Sequence, residues 1–206
     1  KETRQNTFRE LVRKLRYEVE HSDKQVLLLT STESQQGKTT LAQALAYSLS
    51  LSNKKVLVID TNFCNNDLTV QMEAEPTLES FSVAPEDLTI EKVKAIVTTY
   101  PLSGIEVIGC KGGDYTPSEI LLPNNILQHF DFLKKHYDFI IMEGAPLNEF
   151  TDSKELVKYV DGVIAIFSSK VALTQSDKDS IEFLQGLNGK LIGAVLNNVQ
   201  EEYLEI

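Results

Sequence analysis

Leu27-Leu28-Leu29-Thr30-Ser31-Thr32-Glu33-Ser34-Gln35-Gln36-Gly37-Lys38-Thr39-Thr40 is the stretch that decides the fold. An apolar run enters a polar loop, the loop closes on Gly-Lys-Thr, and the helix-favouring residues Leu41 to Leu51 follow. This order suits phosphate. Backbone N–H groups of a loop and of a new helix N-terminus converge on an anion. Gly37 lets the backbone come close, Lys38 places a point charge on the outer phosphates, and the Thr39 hydroxyl is a ligand for Mg²⁺. Ser34, Gln35, Gln36, Gly37, Lys38, Thr39 and Thr40 are therefore the expected nucleotide-binding residues. Thr32 stands where the pattern usually opens on glycine, so the motif is incomplete at that position.

Working outward, the same kind of apolar run recurs at Val56–Ile59, Ile105–Ile108, Phe139–Met142, Val163–Phe167 and Leu191–Leu196. With Val26–Leu29 these runs are short, rich in β-branched residues and mostly not alternating, as strands buried on both faces of a parallel sheet are. Helical patterns fall between most of them: Leu41–Leu51, Ser118–His136 with a bend expected at Pro123, and weaker ones marked by Val157, Ala172-Leu173 and Ile181–Leu187. The interval Asn62–Asp87 predicts a long loop with a short helix. Strands alternating with helices imply right-handed crossovers and an α/β fold with a mostly parallel sheet flanked by helices. Residues 1–22 read as an N-terminal helical arm, with Phe8, Leu11, Leu15 and Val12 on one face, and residues 23–206 as a single nucleotide-binding core.

Two carboxylates are placed by the strands. Asp60 ends the second run, where a parallel sheet opens its ligand crevice; it is expected to polarise an attacking hydroxyl or to hold a metal-bound water. Glu143 follows Phe139–Met142, at the metal-side position of phosphate-loop enzymes. Lys38 and Asp60 are the expected catalytic residues, and Thr39, Asp60 and Glu143 the expected metal ligands, for ATP with Mg²⁺. Asn197, at the end of the last run, is a candidate contact for the base.

Composition narrows the classes. The formal net charge is −10 over 206 residues, which repels nucleic-acid backbones, and no aromatic and basic residues interleave as a nucleic-acid platform requires. No apolar run approaches the ~20 residues of a membrane span. Cys64 and Cys110 are expected as free thiols. His21, His129 and His136 lack metal-ligand spacing, and the last two are expected on a helix surface. The chain opens on Lys1, as a piece of a longer chain does.

Several motifs together resemble the cytoplasmic domain of the bacterial tyrosine kinases that regulate export of capsular and exopolysaccharides. Glu10-x-x-Arg13-x-x-Arg16 is similar to that family's N-terminal E-x-x-R-x-x-R motif. Ser31–Thr39 resembles its Walker A loop, Val56–Asp60 its second acidic motif, Thr116-Pro117-Ser118-Glu119-Ile120-Leu121 its P-x-E-L-L segment, Tyr137–Pro146 its Walker B strand and Leu196–Val199 the end of its last strand. The resemblance implies a tyrosine autokinase of exopolysaccharide, lipopolysaccharide or capsule production. It also implies ring-like self-association through Glu10, Arg13 and Arg16. The implied partner is a membrane-embedded polysaccharide co-polymerase segment or activator, and the implied place is the cytoplasmic side of the inner membrane.

The chain departs from that pattern at chosen points. The second acid after Asp60 is Asn62, and the arginine that follows is Cys64. The Walker B Asp is Glu143, and a loop glycine is replaced by Gln35 or Gln36. The family's tail carries a tyrosine cluster, whereas here Tyr203 stands alone near the end. Two readings follow: a working or weak kinase, and a degenerate member that serves assembly or regulation. Partition-type ATPases share the architecture but carry a lysine early in the loop, and Ser31–Ser34 has none.

Overall fold

The computed structural model describes residues 2–200, with side chains from Gln5 onward. Tyr203 lies outside the described residues. The elements in chain order are α1 (Glu2–Glu20), β1 (Val26–Ser31), α2 (Lys38–Leu51), β2 (Val56–Asp60), α3 (Asp67–Gln71), α4 (Ile90–Lys94), β3 (Thr98–Thr99), β4 (Glu106–Ile108), α5 (Pro117–Ile120), α6 (Phe130–Leu133), β5 (Phe139–Glu143), α7 (Asp152–Leu156), β6 (Gly162–Ser168), α8 (Gln175–Gln185) and β7 (Leu191–Asn197). They build a seven-stranded sheet in the order β3-β4-β2-β5-β1-β6-β7. All pairings are parallel except β3 with β4 at one edge, a two-residue strand the sequence pattern missed.

The central strands are buried on both faces, and their period of two divides the core in two layers. Val26 and Leu28 of β1 and Ile140 and Met142 of β5 face Phe63, Leu127, Phe130 and Leu133. Leu27, Leu29 and Ile141 face the other way, onto Leu41, Leu45 and Leu49 of α2 and Val19 of α1. That spacing puts one stripe of α2 against the sheet. Burying each such Leu contributes about 2 kcal/mol, which is why these runs are continuous rather than alternating.

Four expectations change. The Ser118–His136 segment is not one helix. It breaks into α5, a 3-10 turn at Ile126–His129 and α6, because Pro123 cannot continue a helix and Asn124 takes φ +56°. Ala172-Leu173 lies in the exposed connection before α8, not in a helix. His129 is buried, with Nε2 2.9 Å from the Val83 carbonyl and 3.2 Å from that of Asn124, rather than on a helix surface. Strand β7 is an edge strand, so Leu196 faces outward instead of into the core.

The arm also packs differently from its apolar stripe. Val12 and Val19 are buried and Leu15 is half-buried, whereas Phe8 and Leu11 are exposed. A polar contact fixes its angle: Arg16 Nη1 donates to the Ser48 carbonyl of α2 at 2.9 Å.

Candidate nucleotide site

The carboxyl ends of β1, β5 and β2 lie side by side, with Leu29 opposite Glu143 and Glu143 opposite Asp60. From β1 the chain crosses through α2 to β2 on the β5 side, whereas from β6 it runs to β7 on the opposite side. The order reverses beside β1, and open α/β sheets bind ligands at such a point. A cavity of about 310 Å³ sits in the opening, bordered by Gly37, Lys38, Thr39, Asn62, Glu143 and Glu149.

The loop's shape follows from three residues. Gly37 takes φ +98° at the N-cap of α2, and a Cβ there would stand 2.1 Å from Asn197 Nδ2. Only glycine satisfies both conditions. Gln35 takes φ +58°, a left-handed value uncommon outside glycine. The glycine missing from the loop is therefore missing at Gln35, not at Gln36. The Gln36 side chain instead faces back, where its Oε1 accepts from Thr32 Oγ1 and Glu33 N, both at 3.3 Å.

Lys38 is buried, and its Nζ donates to Ser31 Oγ at 2.9 Å, back at the start of the loop. Burial lowers its pKa, while Glu143, Cys64, Glu149 and Asp67 act to raise it. Thr39 Oγ1 donates to Glu143 Oε1 at 2.8 Å. The second carboxylate oxygen, Glu143 Oε2, is buried without a partner. An orphaned buried carboxylate oxygen beside a threonine hydroxyl suits a hard divalent cation. Mg²⁺ keeps several waters and takes only one or two protein ligands, so Thr39 and Glu143 fit it. Burial first, then the neighbouring Asp60, lifts the Glu143 carboxyl to about 7.

Asp60 stands deeper than the sequence implied. Its Oδ2 accepts from Thr69 N at 2.9 Å and Thr69 Oγ1 at 2.6 Å, and Oδ1 accepts from Asn62 N at 3.1 Å. Both oxygens are thus engaged in holding the turn that leads to α3. Burial raises its pKa to about 6 against the pull of those bonds. Asn62 borders the cavity, with its Oδ1 accepting from Cys64 Sγ at 3.0 Å. Burial, then Asp152, push the Cys64 thiol up to about 11, which disfavours its thiolate at neutral pH. Both cysteines are free.

Asn197 does not reach outward. Its Nδ2 donates to the Gln36 carbonyl at 3.0 Å and its Oδ1 accepts from Asn198 N at 2.9 Å, so the side chain braces the loop against β7. The arm residues are also engaged within the chain. Arg13 pairs with Glu10 one turn earlier on the exposed face, while Arg16 is spent on Ser48.

The sequence reading missed the segment after β5. Leu147 N donates to the Ser31 carbonyl at 2.8 Å and Asn148 N to that of Thr32 at 2.9 Å, and Ser34 N donates to Glu149 Oε1 at 2.9 Å. Leu147–Glu149 therefore lies along the outside of the loop. Nothing in its composition announces this, since the pairing is set by sheet order.

Among the described residues no helix is long and apolar enough to cross a membrane. Tyrosine-protein kinase etk of Escherichia coli (strain K12) is 23% identical over 189 residues, covering 90% of this chain and 25% of etk. The chain thus spans about a quarter of that relative's length. Tyrosine-protein kinase CpsD of Streptococcus agalactiae serotype III (strain NEM316) is 22% identical over 192 residues, 91% of this chain and 81% of CpsD. The solved kinase domain of Escherichia coli tyrosine kinase ETK superposes with a TM-score of 0.77 at 22% identity, covering 96% of this chain and 78% of that one. A sequence model of the AAA domain family matches residues 25–177, well over half of the chain. By that match, and with the phosphate-loop fold of its relatives, the chain belongs to the AAA domain family.

Proposed function

We propose that this chain binds ATP with Mg²⁺ on Ser34–Thr40 and passes the terminal phosphate to tyrosine hydroxyls, as a kinase of capsule, exopolysaccharide or lipopolysaccharide production. The observation that carries the reading is the pairing of Thr39 with a Glu143 that keeps one buried oxygen free, beside a buried Lys38. Those groups have no structural task that needs a cation, an ammonium and an open loop together.

In the transfer, the tyrosine hydroxyl oxygen attacks the terminal phosphorus as the bond to the bridging oxygen breaks, and the hydroxyl proton leaves to water. Charge builds on the transferring group and on the leaving diphosphate. Lys38 and the N–H groups opening α2 stabilise that charge. Mg²⁺, when bound at Thr39 and Glu143, neutralises phosphate charge. Asp60 acts as a positioning group, fixing the turn that carries Asn62 and lending negative potential to Glu143. Because such transfer depends on positioning more than on a strong base, the replacement of an acid by Asn62 weakens the site without emptying it.

The second reading, a nucleotide-binding assembly or regulatory module, is favoured by the full engagement of Asp60. A partition-type ATPase is the weaker alternative, since Ser31–Ser34 offers no lysine. We further infer self-association through the arm and a membrane-embedded co-polymerase or activator as partner, on the cytoplasmic side.

Calorimetry with Mg-ATP on the wild type and Lys38→Met tests the binding: the variant should lose it, and equal binding by both removes the claim. Mass spectrometry for phosphotyrosine after incubation with Mg-ATP separates the kinase from the assembly module.

A further inference from the structure

The segment after β5 holds a carboxylate against the phosphate loop. Glu149 Oε1 accepts from Ser34 N at 2.9 Å, although the Glu149 side chain is otherwise exposed. Its backbone is not free to wander. Asn148 N is bonded to the Thr32 carbonyl. The Asn148 side chain is clamped from both ends: its Nδ2 donates to Asp177 Oδ1 at 3.0 Å, and its Oδ1 accepts from Ser180 Oγ at 2.6 Å. Both partners belong to α8. Glu149 is thus delivered to the loop mouth by a buried polar anchor, not by chance at the surface.

The place it occupies can be assigned. Lys38 of a phosphate loop serves the outer phosphates, and here Lys38 runs back to Ser31 at the loop's beginning. The inner phosphates belong near Thr39 and Thr40 at the start of α2, so the terminal phosphate belongs on the early side, beside Ser34. A carboxylate there takes an amide that a terminal phosphate needs, and repels its charge.

We propose that Glu149 is a specificity-determining residue of the nucleotide site, which occupies the terminal-phosphate position and disfavours nucleoside triphosphate relative to diphosphate. The proposal rests on the nucleotide reading above. A diphosphate over Lys38, Thr39 and Thr40 leaves the Ser34–Glu149 contact standing. A triphosphate displaces Glu149, whose exposed side chain then swings to solvent.

The test is calorimetry of Mg-ADP and of a non-hydrolysable Mg-ATP analogue on wild type, Glu149→Gln and Glu149→Ala. Removing one charge that competes with a terminal phosphate for the Ser34 amide in a solvent-open site is worth about tenfold. Both variants should therefore bind the analogue about tenfold more tightly, with the diphosphate changed by less than about threefold. In wild type the preference should shrink as salt rises, and in Glu149→Gln it should not. An unchanged ratio of the two affinities in both variants overturns this assignment and leaves the nucleotide site standing. Failure of the folded wild type to bind either nucleotide retires the site and the assignment together.

Discussion

Thr39 Oγ1 sits 2.8 Å from Glu143 Oε1 and ties the first turn of α2 to the end of β5. The extra methylene of glutamate lets the carboxylate span from the strand to the helix. Its second oxygen remains buried and unpartnered.

Glu143→Gln should remove most of the magnesium dependence of nucleotide binding while keeping the fold, because the amide keeps the bond to Thr39 but loses the charge. We expect the gain in affinity on adding Mg²⁺ to fall about tenfold, a single hard-ligand charge being the difference. Titrations of ADP with Mg²⁺ and with EDTA measure it. A gain equal to that of wild type would show that the ion sits elsewhere.

The apo protein should lose stability as pH rises from about 5 to about 7.5. Asp60 and Glu143 carry folded-state pKa values of about 6 and about 7, above their ordinary 3.8 and 4.5. Between the ordinary and raised values the folded state binds more protons than the unfolded one, so stability falls with rising pH. The two acids are neighbours and titrate as a pair. Asp177 works in the opposite sense: burial favours its neutral form, but hydrogen bonds from Thr174 N and Oγ1 and from Asn148 Nδ2 outweigh it and hold the pKa at about 2. Its contribution is present at neutral pH and is lost only in strong acid. Melting curves in EDTA from pH 5 to 8 check the slope, and Glu143→Gln should flatten it. A wild-type melting temperature that rises across this range would contradict the coupling.

Asn62→Asp should destabilise the magnesium-free protein and increase the stabilisation that Mg²⁺ gives. It adds a carboxylate at a nearly buried position beside Asp60 and Glu143, where like charges cost most. If the kinase reading holds, Asn62→Asp with Glu143→Asp also raises phosphotyrosine formation. Thermal melts with and without Mg²⁺ read the first effect, and equal shifts in variant and wild type would speak against it.

Arg13 and Arg16 should separate into different roles. Arg16→Ala loses a charged hydrogen bond to Ser48, about 1–2 kcal/mol of stability in a half-buried setting. Arg13 makes an exposed intrahelical pair with Glu10, of a kind that contributes ~0–1 kcal/mol; its loss should leave stability nearly unchanged and instead weaken self-association. Denaturant titration and light scattering on the single variants distinguish them, whereas a double variant would confound the two. Equal destabilisation by both would refute the division.

Gln35→Gly should be tolerated or mildly stabilising, since the φ of +58° costs a side chain roughly 1 kcal/mol that glycine does not incur. Gln36→Gly should instead lose stability, because Gln36 is buried and holds Thr32 and Glu33. Denaturation midpoints of the two variants would reveal the reverse order if the assignment of the missing glycine were mistaken.

Much of the molecule is legible from residue order alone. Continuous apolar runs such as Val56–Ile59 read as buried strands, and a polar loop that ends Gly37-Lys38-Thr39 before a helix marks the strand–loop–helix turn. Local chemistry settles these, because burial and backbone hydrogen bonding act within a few residues. The broken Ser118–His136 segment and the unpredicted β3 show where local pattern stops, since a turn at Asn124 and a two-residue edge pair depend on the neighbours they meet.

Which oxygen is free and which is spent was decided only in three dimensions. Asp60 and Glu143 look alike in sequence, each an acid ending an apolar strand. Thr69, nine residues on, closes over Asp60 and leaves Glu143 beside Thr39. Asn197 and Glu149 reach the loop from 161 and 115 residues away in sequence, brought there by the sheet order that places β1 between β5 and β6. Sequence names the groups that carry charge; the packing of strands distant along the chain fixes which charges remain unsatisfied, and an unsatisfied buried charge is what a ligand answers.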